Sequence, residues 1–214
     1  KENHLENIQT FERLMKQASK VLCLDAFVSQ RTIQTLKLMN VPFVFYDFTH
    51  PVPERTCVKK NSPEEFMSDL CWDLGANKKV FLFCSSINRL NKEFLPMLKE
   101  NYPDKKVLVY NSETKKAVKE LTNVNEVWSK ADVVVATSTI TVGCNFDLND
   151  YFHKVYVYVG ASSKNYVRDV FQSTYRVRHL IDNEMVYFLD ARHNGFNEPC
   201  SKREIEAALT AKNP

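Results

Sequence analysis

The sequence predicts an α/β domain in which a parallel sheet carries helices on both faces. From residue 79 onward, apolar runs alternate with amphipathic stretches, the chain order of parallel strands joined by crossover helices. The runs are apolar at every position, as in strands buried on both faces. The 214 residues, 44% of them hydrophobic, suffice for one large domain or for one and a half small ones.

Apolar runs and helical spacing locate the individual elements. The main strands are predicted over residues 80–84, 107–110, 133–136, 155–159 and 185–189, and shorter ones over 21–24, 43–46 and 55–58. Helices are predicted over residues 5–19, 29–39, 62–75, 88–100, 113–121, 166–179 and 201–211. Ser62 and Pro63 give the clearest helix start, because Ser caps free N–H groups and Pro fits the first turn.

Composition limits the chemistry that the chain can perform alone. The net charge of +3 is compatible with nucleic-acid binding but too small to indicate it. None of the four glycines forms a Walker A loop, so the chain does not build the main phosphate cradle of a nucleotide. The six cysteines contain no Cys-x-x-Cys pair, which favours free buried thiols over disulfides or zinc.

No apolar stretch is long enough to cross a bilayer, and no signal peptide is recognised. No membrane partner is therefore expected. The five histidines are scattered without the spacing of metal ligands, so no metal site is expected either. The chain begins with Lys1, and we expect it to be a fragment of a longer protein.

Polar side chains follow the predicted strands, where a parallel α/β sheet carries its functional residues. Ser85 and Ser86 follow one strand, and Thr137 follows another. With Arg89, the serines form a helix start that suits a phosphate group of a nucleic acid. A plain helix cap is the alternative interpretation of the same residues.

The segment after the strand over 133–136 is rich in groups that bind phosphate or sugar. These groups belong to Thr137, Thr139, Thr141, Gly143, Asn145 and Asp147. Threonine hydroxyls at a strand end suit nucleic-acid phosphates, and Gly143 permits close approach of the backbone. Asn145 and Asp147 can bond a ribose hydroxyl. The alternative is a Thr-rich strand with its polar side chains in solvent.

The helix predicted over 166–179 carries a glutamine and two arginines, Gln172, Arg176 and Arg178. The arginines lie about 200° apart on a helix, but near a helix end both can converge on one anion. Such an arginine neutralises charge on a transferring phosphoryl group and contributes about three to five orders of magnitude in rate. Gln172 can orient the attacking water. A solvated helix face is the alternative.

These residues resemble the replication origin-binding helicases of herpesviruses and their relatives in large DNA viruses, which are superfamily 2 helicases. The resemblance is carried by four segments, 21–26, 80–86, 137–147 and 168–180, which are similar to the third to sixth helicase motifs. The chain departs from the broader superfamily pattern at three positions. Tyr175 stands where that pattern has Gly, His179 where it has Arg, and Asn145 where many relatives have Asp.

The resemblance implies a second RecA-like motor domain over 79–214, a connector over 46–78 and the tail of the first motor domain over 1–45. ATP and Mg²⁺ would be held mainly by the first RecA-like domain of the same chain. The implied catalytic residues are Arg176, Arg178 and Gln172, and the implied cofactor-binding residues are Gly143, Asn145 and Asp147. The implied nucleic-acid-binding residues are Ser85, Ser86, Arg89, Thr137 and Thr139. Asp25, at the end of an apolar run, is implied to be a coupling residue. The alternative interpretation is that Asp25 only caps the end of a strand.

The expected partner is DNA, single-stranded or duplex, and the expected location is intracellular, in the host nucleus or a viral replication site. Alone, the chain is expected to bind ATP poorly and to hydrolyse none. The second hypothesis is a non-catalytic α/β nucleic-acid or protein adaptor derived from a helicase domain. A third, a small-molecule α/β enzyme, lacks support because no Gly-rich loop or acid–base pair is present.

Overall fold

The computed structural model describes residues 4–23, 28, 30–40, 42–47, 54–114, 120–140, 144–160 and 167–190. The chain divides into two compact units, Lys1–Val52 and Pro53–Pro214. Within the described part of the first unit, the regular elements are helices α1 (His4–Gln17) and α2 (Gln30–Leu38). None of the described helices combines the length and apolar character needed to cross a membrane.

The second unit is built on a parallel sheet of six described strands. These are β1 (Thr56–Lys59), β2 (Val80–Cys84), β3 (Val107–Tyr110), β4 (Val133–Ala136), β5 (Phe152–Val159) and β6 (Leu180–Leu189). They lie in the order β1-β6-β5-β2-β4-β3, and every pair is parallel. The α/β class predicted from the sequence is confirmed. The central strands β2 and β4 are buried along their whole length, which explains their continuous apolar runs.

Helices cover both faces of this sheet. One face carries α3 (Pro63–Gly75) and a continuous helical segment made of α4 (Ile87–Arg89), a π turn (Leu90–Phe94) and α5 (Leu95–Asn101). The other carries α6 (Val124–Trp128) and α7 (Val167–Thr174). Successive residues of β2 point to opposite faces of the sheet and pack into two separate hydrophobic cores. Leu82 packs with Phe66 and Leu70 of α3, whereas Phe81 packs with Trp128 of α6.

Two predicted strands in the first unit are wrong. The described residues 18–23 and 42–47 lie outside any strand. Leu22 is 77% exposed, and the side chains of Phe43, Val44, Phe45 and Tyr46 are also exposed. A short apolar run becomes a buried strand only where neighbouring strands pair with it, and no strand occurs among the described residues of this unit. Asp25, placed at the end of the first of these runs, lies outside the described residues.

The segment assigned to a connector contributes to the sheet. Within 46–78, β1 pairs with β6, and α3 packs on the sheet. The second compact unit begins at Pro53. The helix predicted over 166–179 ends at Thr174, because residues 175–179 form a turn and a short bridge to another segment. The helices predicted over 113–121 and 201–211 fall wholly or largely outside the described residues.

A buried carboxylate stabilises the sheet where α3 ends. Asp73 is buried and accepts a hydrogen bond of 2.5 Å from the hydroxyl of Tyr156. The ammonium groups of Lys154 and Lys78 lie 3.2 and 3.3 Å from its two oxygens. Burial by itself would raise the pKa of Asp73, but the hydrogen bond from Tyr156 and the contacts with the two lysines outweigh it and lower the pKa.

The lowered pKa of Asp73 predicts an acid-dependent loss of stability. A carboxylate with a depressed folded-state pKa stabilises the fold above its unfolded pKa of about 3.9, and this contribution disappears as the pH falls through the folded-state pKa. We expect Asp73→Asn to lower the free energy of unfolding at pH 7 by about 1–3 kcal/mol and to flatten its dependence on pH below about 4. Urea unfolding measured from pH 2.5 to 7 tests this, with the exposed Asp104→Asn as the control. An Asp73→Asn variant with the wild-type slope would contradict it.

Candidate functional site

The two segments singled out by the sequence, 137–147 and 171–179, are in direct contact. Phe146 and Val177 form an isolated parallel β-bridge. The amide of Phe146 donates to the carbonyl of Arg176 at 2.7 Å, and the amide of Arg178 donates to the carbonyl of Phe146 at 3.1 Å. We call residues 144–147 and 176–179 together the arginine junction. The fold therefore unites two motifs that are about 30 residues apart in the sequence.

Arg176 lies inside the arginine junction. Its Nη1 donates to the side-chain oxygen of Asn145 at 3.2 Å and lies 3.4 Å from the carbonyl of Cys144. The side chain is half-buried, so its guanidinium group is held in one place without being sealed from solvent. Burial raises the pKa of the Cys144 thiol, although the charge of Arg176 opposes this. The raised pKa favours the protonated thiol, the less nucleophilic form.

The outer part of the arginine junction carries exposed charges. Nε of Arg178 and Nε2 of His179 each lie 3.6 Å from one carboxylate oxygen of Asp147. The side chains of Arg178 and Asp147 are 51% and 49% exposed, so this pair contributes little to stability and can exchange partners. The backbone of Asp147 is fixed in place, because its amide donates to the side-chain oxygen of Asn125 at 2.9 Å. Arg178 is therefore accessible to an anion.

Of the remaining residues of the two motifs, only some lie within the described part of the chain. Gln172 is half-buried on α7, one helical turn before Arg176. Gly143 and Thr141 lie outside the described residues, so the approach of a phosphate to this glycine stays a prediction. Among the described residues, no group of three His, Cys, Asp or Glu side chains could hold a metal ion.

The carboxyl ends of β5, β2, β4 and β3 are neighbours in the sheet, as the strand order requires. Ser85 and Ser86 follow β2 directly. The hydroxyl oxygen of Ser85 accepts from the amide of Gly160 at 2.8 Å, and that of Ser86 accepts from the amide of Arg89 at 3.3 Å. Ser85 thus links two strand ends, and Ser86 caps α4. Both side chains are half-buried and remain partly accessible.

Thr137 follows β4 at the same edge. Its amide donates to the carbonyl of Tyr110 at 3.0 Å, and its hydroxyl lies 3.0 Å from that of Thr139. Thr137 is only 5% exposed, whereas Thr139 is exposed. Of the two predicted nucleic-acid contacts, Thr139 therefore presents the accessible hydroxyl, and Thr137 fixes its position.

Arg89 is engaged within the protein. Its guanidinium group pairs with Glu93 at 2.7 Å and with Asp190, after β6, at 3.5 Å. It also lies over the ring of Tyr158, 4.6 Å from the ring centre, and the hydroxyl of Tyr158 donates to Asp190 at 3.0 Å. Binding of a phosphate by Arg89 would require exchange of these carboxylate partners.

Sequence reasoning missed Arg55, whose guanidinium group contacts backbone carbonyls of the arginine junction and of the end of α7. Arg55 lies in the segment assigned to a connector, and its partners are more than 100 residues further along the chain. No local pattern identifies such a contact. The hydrogen bond from the amide of Asp147 to the side chain of Asn125 was also missed, because no local pattern identifies it.

Comparisons with known proteins show what this chain resembles in sequence. The sequence model of the family described as "Origin of replication binding protein" matches residues 39–202, more than half of the chain. The replication origin-binding protein of human herpesvirus 6A (strain Uganda-1102) is 28% identical over 191 residues, which are 84% of this chain and 24% of that protein. The replication origin-binding protein of human herpesvirus 7 (strain JI) is 34% identical over 119 residues, which are 55% of this chain and 14% of that protein. The chain thus spans at most about a quarter of these relatives.

Two solved structures align with this chain, and the first of them shows a similar fold. Mss116p bound to ssRNA and AMP-PNP aligns with 98% of this chain and 43% of its own, with a TM-score of 0.55 and 15% identity. The Mss116p DEAD-box helicase domain 2 bound to an RNA duplex aligns with 74% of this chain and 69% of its own, with a TM-score of 0.40 and 14% identity. The parallel sheet and the first of these matches make the fold RecA-like. By the family match, which covers most of its length, the chain belongs to the origin of replication binding protein family.

Proposed function

We propose that this chain is the carboxyl-side motor domain of an ATP-dependent DNA helicase that acts in the initiation of DNA replication. The observation that carries the proposal is the arginine junction, in which the guanidinium group of Arg176 is anchored on Asn145 beside the exposed Arg178. A motor domain of this kind needs arginines at fixed positions near the nucleotide. The proposal extends to DNA, single-stranded or duplex, as the partner, and to the host nucleus or a viral replication site as the location.

The groups of the arginine junction fit a nucleoside triphosphate. Two guanidinium groups offer several N–H donors in the planar arrangement that matches phosphate oxygens. The amide of Asn145 and the carboxylate of Asp147 offer partners for ribose hydroxyls, and both side chains are exposed. In this proposal ATP and Mg²⁺ bind mainly to the first RecA-like domain of the same protein, and this chain completes the site.

Within that site, Arg176 would neutralise the charge that builds on the γ-phosphoryl group, and Gln172 would orient the attacking water. ATP supplies the phosphoryl group that is transferred to water. Arg178 would bind phosphate oxygens after releasing Asp147, which is feasible because that ion pair is half exposed and weak. Arg176, by contrast, is already held, so little reorganisation is needed at the moment of reaction.

The carboxyl edge of the sheet would hold the tracked strand. Thr139, with an exposed hydroxyl, and the partly accessible Ser85 and Ser86 would bond backbone phosphates. The buried Thr137 would hold the hydroxyl of Thr139 in place through the contact between their side-chain oxygens. Closure and opening between the two motor domains would then move these contacts and convert hydrolysis into translocation, with Asp25 coupling the steps.

Because the chain has no Walker A loop, we expect residues 1–214 alone to show no ATP turnover above background. The full-length protein, in contrast, is expected to hydrolyse ATP in a DNA-dependent manner. Phosphate release measured for both proteins, with and without single-stranded DNA, tests the assignment. Robust turnover by residues 1–214 would contradict it, and a full-length protein that binds DNA without any turnover would support the adaptor function instead.

A further inference from the structure

Arg55 lies near the start of the second compact unit, directly before β1, and its guanidinium group reaches the end of α7. Nη1 donates to the carbonyl of Thr174 at 3.1 Å. Nη2 donates to the carbonyl of Val177 and, at 3.3 Å, to that of Arg178. Thr174 is the last residue of α7, so its carbonyl has no partner within the helix. A cation at this position also interacts favourably with the helix dipole.

The side chain of Tyr175 provides a second contact for the same group. Cζ of Arg55 lies 4.3 Å from the centre of the Tyr175 ring. Such a cation–π contact holds the plane of the guanidinium group while its edge donates to the carbonyls. Tyr175 is the residue that stands where the broader helicase pattern has Gly, and in this chain its ring supports Arg55. Burial lowers the pKa of Arg55, but arginine keeps its proton in proteins, so the charge remains.

The turn over 174–178 is thus held from two sides. On one side, Phe146 bonds the carbonyl of Arg176 and accepts from the amide of Arg178. On the other side, Arg55 donates to the carbonyls of Thr174, Val177 and Arg178. Within the turn, the amide of Arg176 donates to the carbonyl of Ser173 at 3.3 Å. Arg176 and Arg178 therefore project from a backbone that is fixed by side chains and strands distant in the sequence.

We propose that Arg55 is a positioning residue for the arginine junction: its forked hydrogen bonds to three carbonyls fix the turn that presents Arg176 and Arg178 to the phosphates. This inference rests on the proposed function of the two arginines. A catalytic charge acts only if it is held where charge develops, and a displacement of about 1 Å can reduce the rate about 100-fold. Arg55 itself points at backbone oxygens and is not a catalytic residue.

The test compares Arg55→Lys and Arg55→Met with wild type in the full-length protein. Lysine keeps the charge but lacks the fork, and methionine keeps part of the stem without a charge. For both variants we expect the kcat of DNA-dependent ATP hydrolysis to fall about 10- to 100-fold with the KM for ATP unchanged, because ATP is held mainly by the other domain. Amide hydrogen exchange of residues 175–179 should rise about tenfold or more, the change expected for losing hydrogen bonds to a charged group. Lys59→Met, which removes an exposed charge from β1, is the matched control and should change neither quantity.

The outcomes separate this inference from the proposed function. Unchanged exchange over 175–179 in Arg55→Met would overturn the positioning role, as would an Arg55→Lys variant that behaves like wild type. If Arg176→Ala abolishes turnover while Arg55→Met leaves it intact, the positioning role is overturned and the motor function stands. If Arg176→Ala leaves turnover intact, the proposed function fails, and the exchange result alone decides whether Arg55 fixes the turn.

Discussion

Replacing Arg176 with alanine in the full-length protein is expected to lower DNA-dependent ATP turnover by about three to five orders of magnitude. The proposed role of this side chain is to neutralise charge on the transferring phosphoryl group, and the half-buried guanidinium group is already held by Asn145 and the Cys144 carbonyl. Arg178 has a different proposed role, the binding of phosphate oxygens after release of Asp147, and is not expected to take over that of Arg176. Turnover is measured as phosphate release at saturating ATP and single-stranded DNA.

Strand binding serves as the internal control for Arg176→Ala. In the proposed arrangement the strand is gripped by hydroxyl groups at the carboxyl edge of the sheet, so the affinity for single-stranded DNA should remain at the wild-type value. Arg168→Ala, an exposed arginine at the start of the same helix α7, is the matched variant and should retain turnover. Charge reversal, Arg176→Glu, should be at least as damaging as alanine. An Arg176→Ala protein that hydrolyses ATP normally would refute the motor function.

Replacing Trp128 with alanine is expected to lower the free energy of unfolding by about 3–5 kcal/mol. Trp128 is fully buried, and its ring lies 5.6 Å from Phe81, 5.9 Å from Tyr110 and 5.9 Å from Phe146. Alanine would leave a cavity that this closely packed aromatic cluster cannot fill, and the loss includes the contacts with three rings. Because Phe146 forms the β-bridge of the arginine junction, the same substitution should loosen that site.

The second tryptophan of the chain gives a matched control for Trp128→Ala. Trp72 lies on α3 and is 79% exposed, so Trp72→Ala should change the free energy of unfolding by no more than about 0.5 kcal/mol. Urea unfolding followed by circular dichroism measures both variants without depending on tryptophan fluorescence. Equal destabilisation by the two substitutions would contradict the burial of Trp128 in this fold.

Sequence patterns predicted three strands of the sheet to the residue. The strands over 80–84, 107–110 and 133–136 have the predicted bounds because each is a continuous apolar run between polar ends. The start of α3 was equally clear, since the hydroxyl of Ser62 accepts from the amide of Glu65 and Pro63 occupies the first turn. Here local chemistry and the tertiary environment favour the same conformation.

The same sequence patterns gave wrong strands or wrong bounds where neighbouring strands were missing or where the partners of a residue lie on other elements. The apolar runs over 21–24 and 43–46 resemble the true strands, but their described residues have no neighbouring strand and remain exposed. The strand β5 begins earlier than predicted, at Phe152, because Lys154 is accommodated beside Asp73 and Glu184 rather than excluded from the sheet. Periodicity alone cannot anticipate a charged residue that finds its partners on other elements.

The sequence by itself determined which chemistry is present: hydroxyl groups after the strands, a glutamine and two arginines near a helix end, and no Walker A loop. Only the tertiary structure decided which of these groups meet. Arg176 contacts Asn145 across 31 positions, Arg89 contacts Asp190 across 101, and Arg55 contacts the Arg178 carbonyl across 123. Such pairs arise because crossover connections bring distant strand and helix ends together at the two edges of a parallel sheet, and no local pattern records which ends become neighbours.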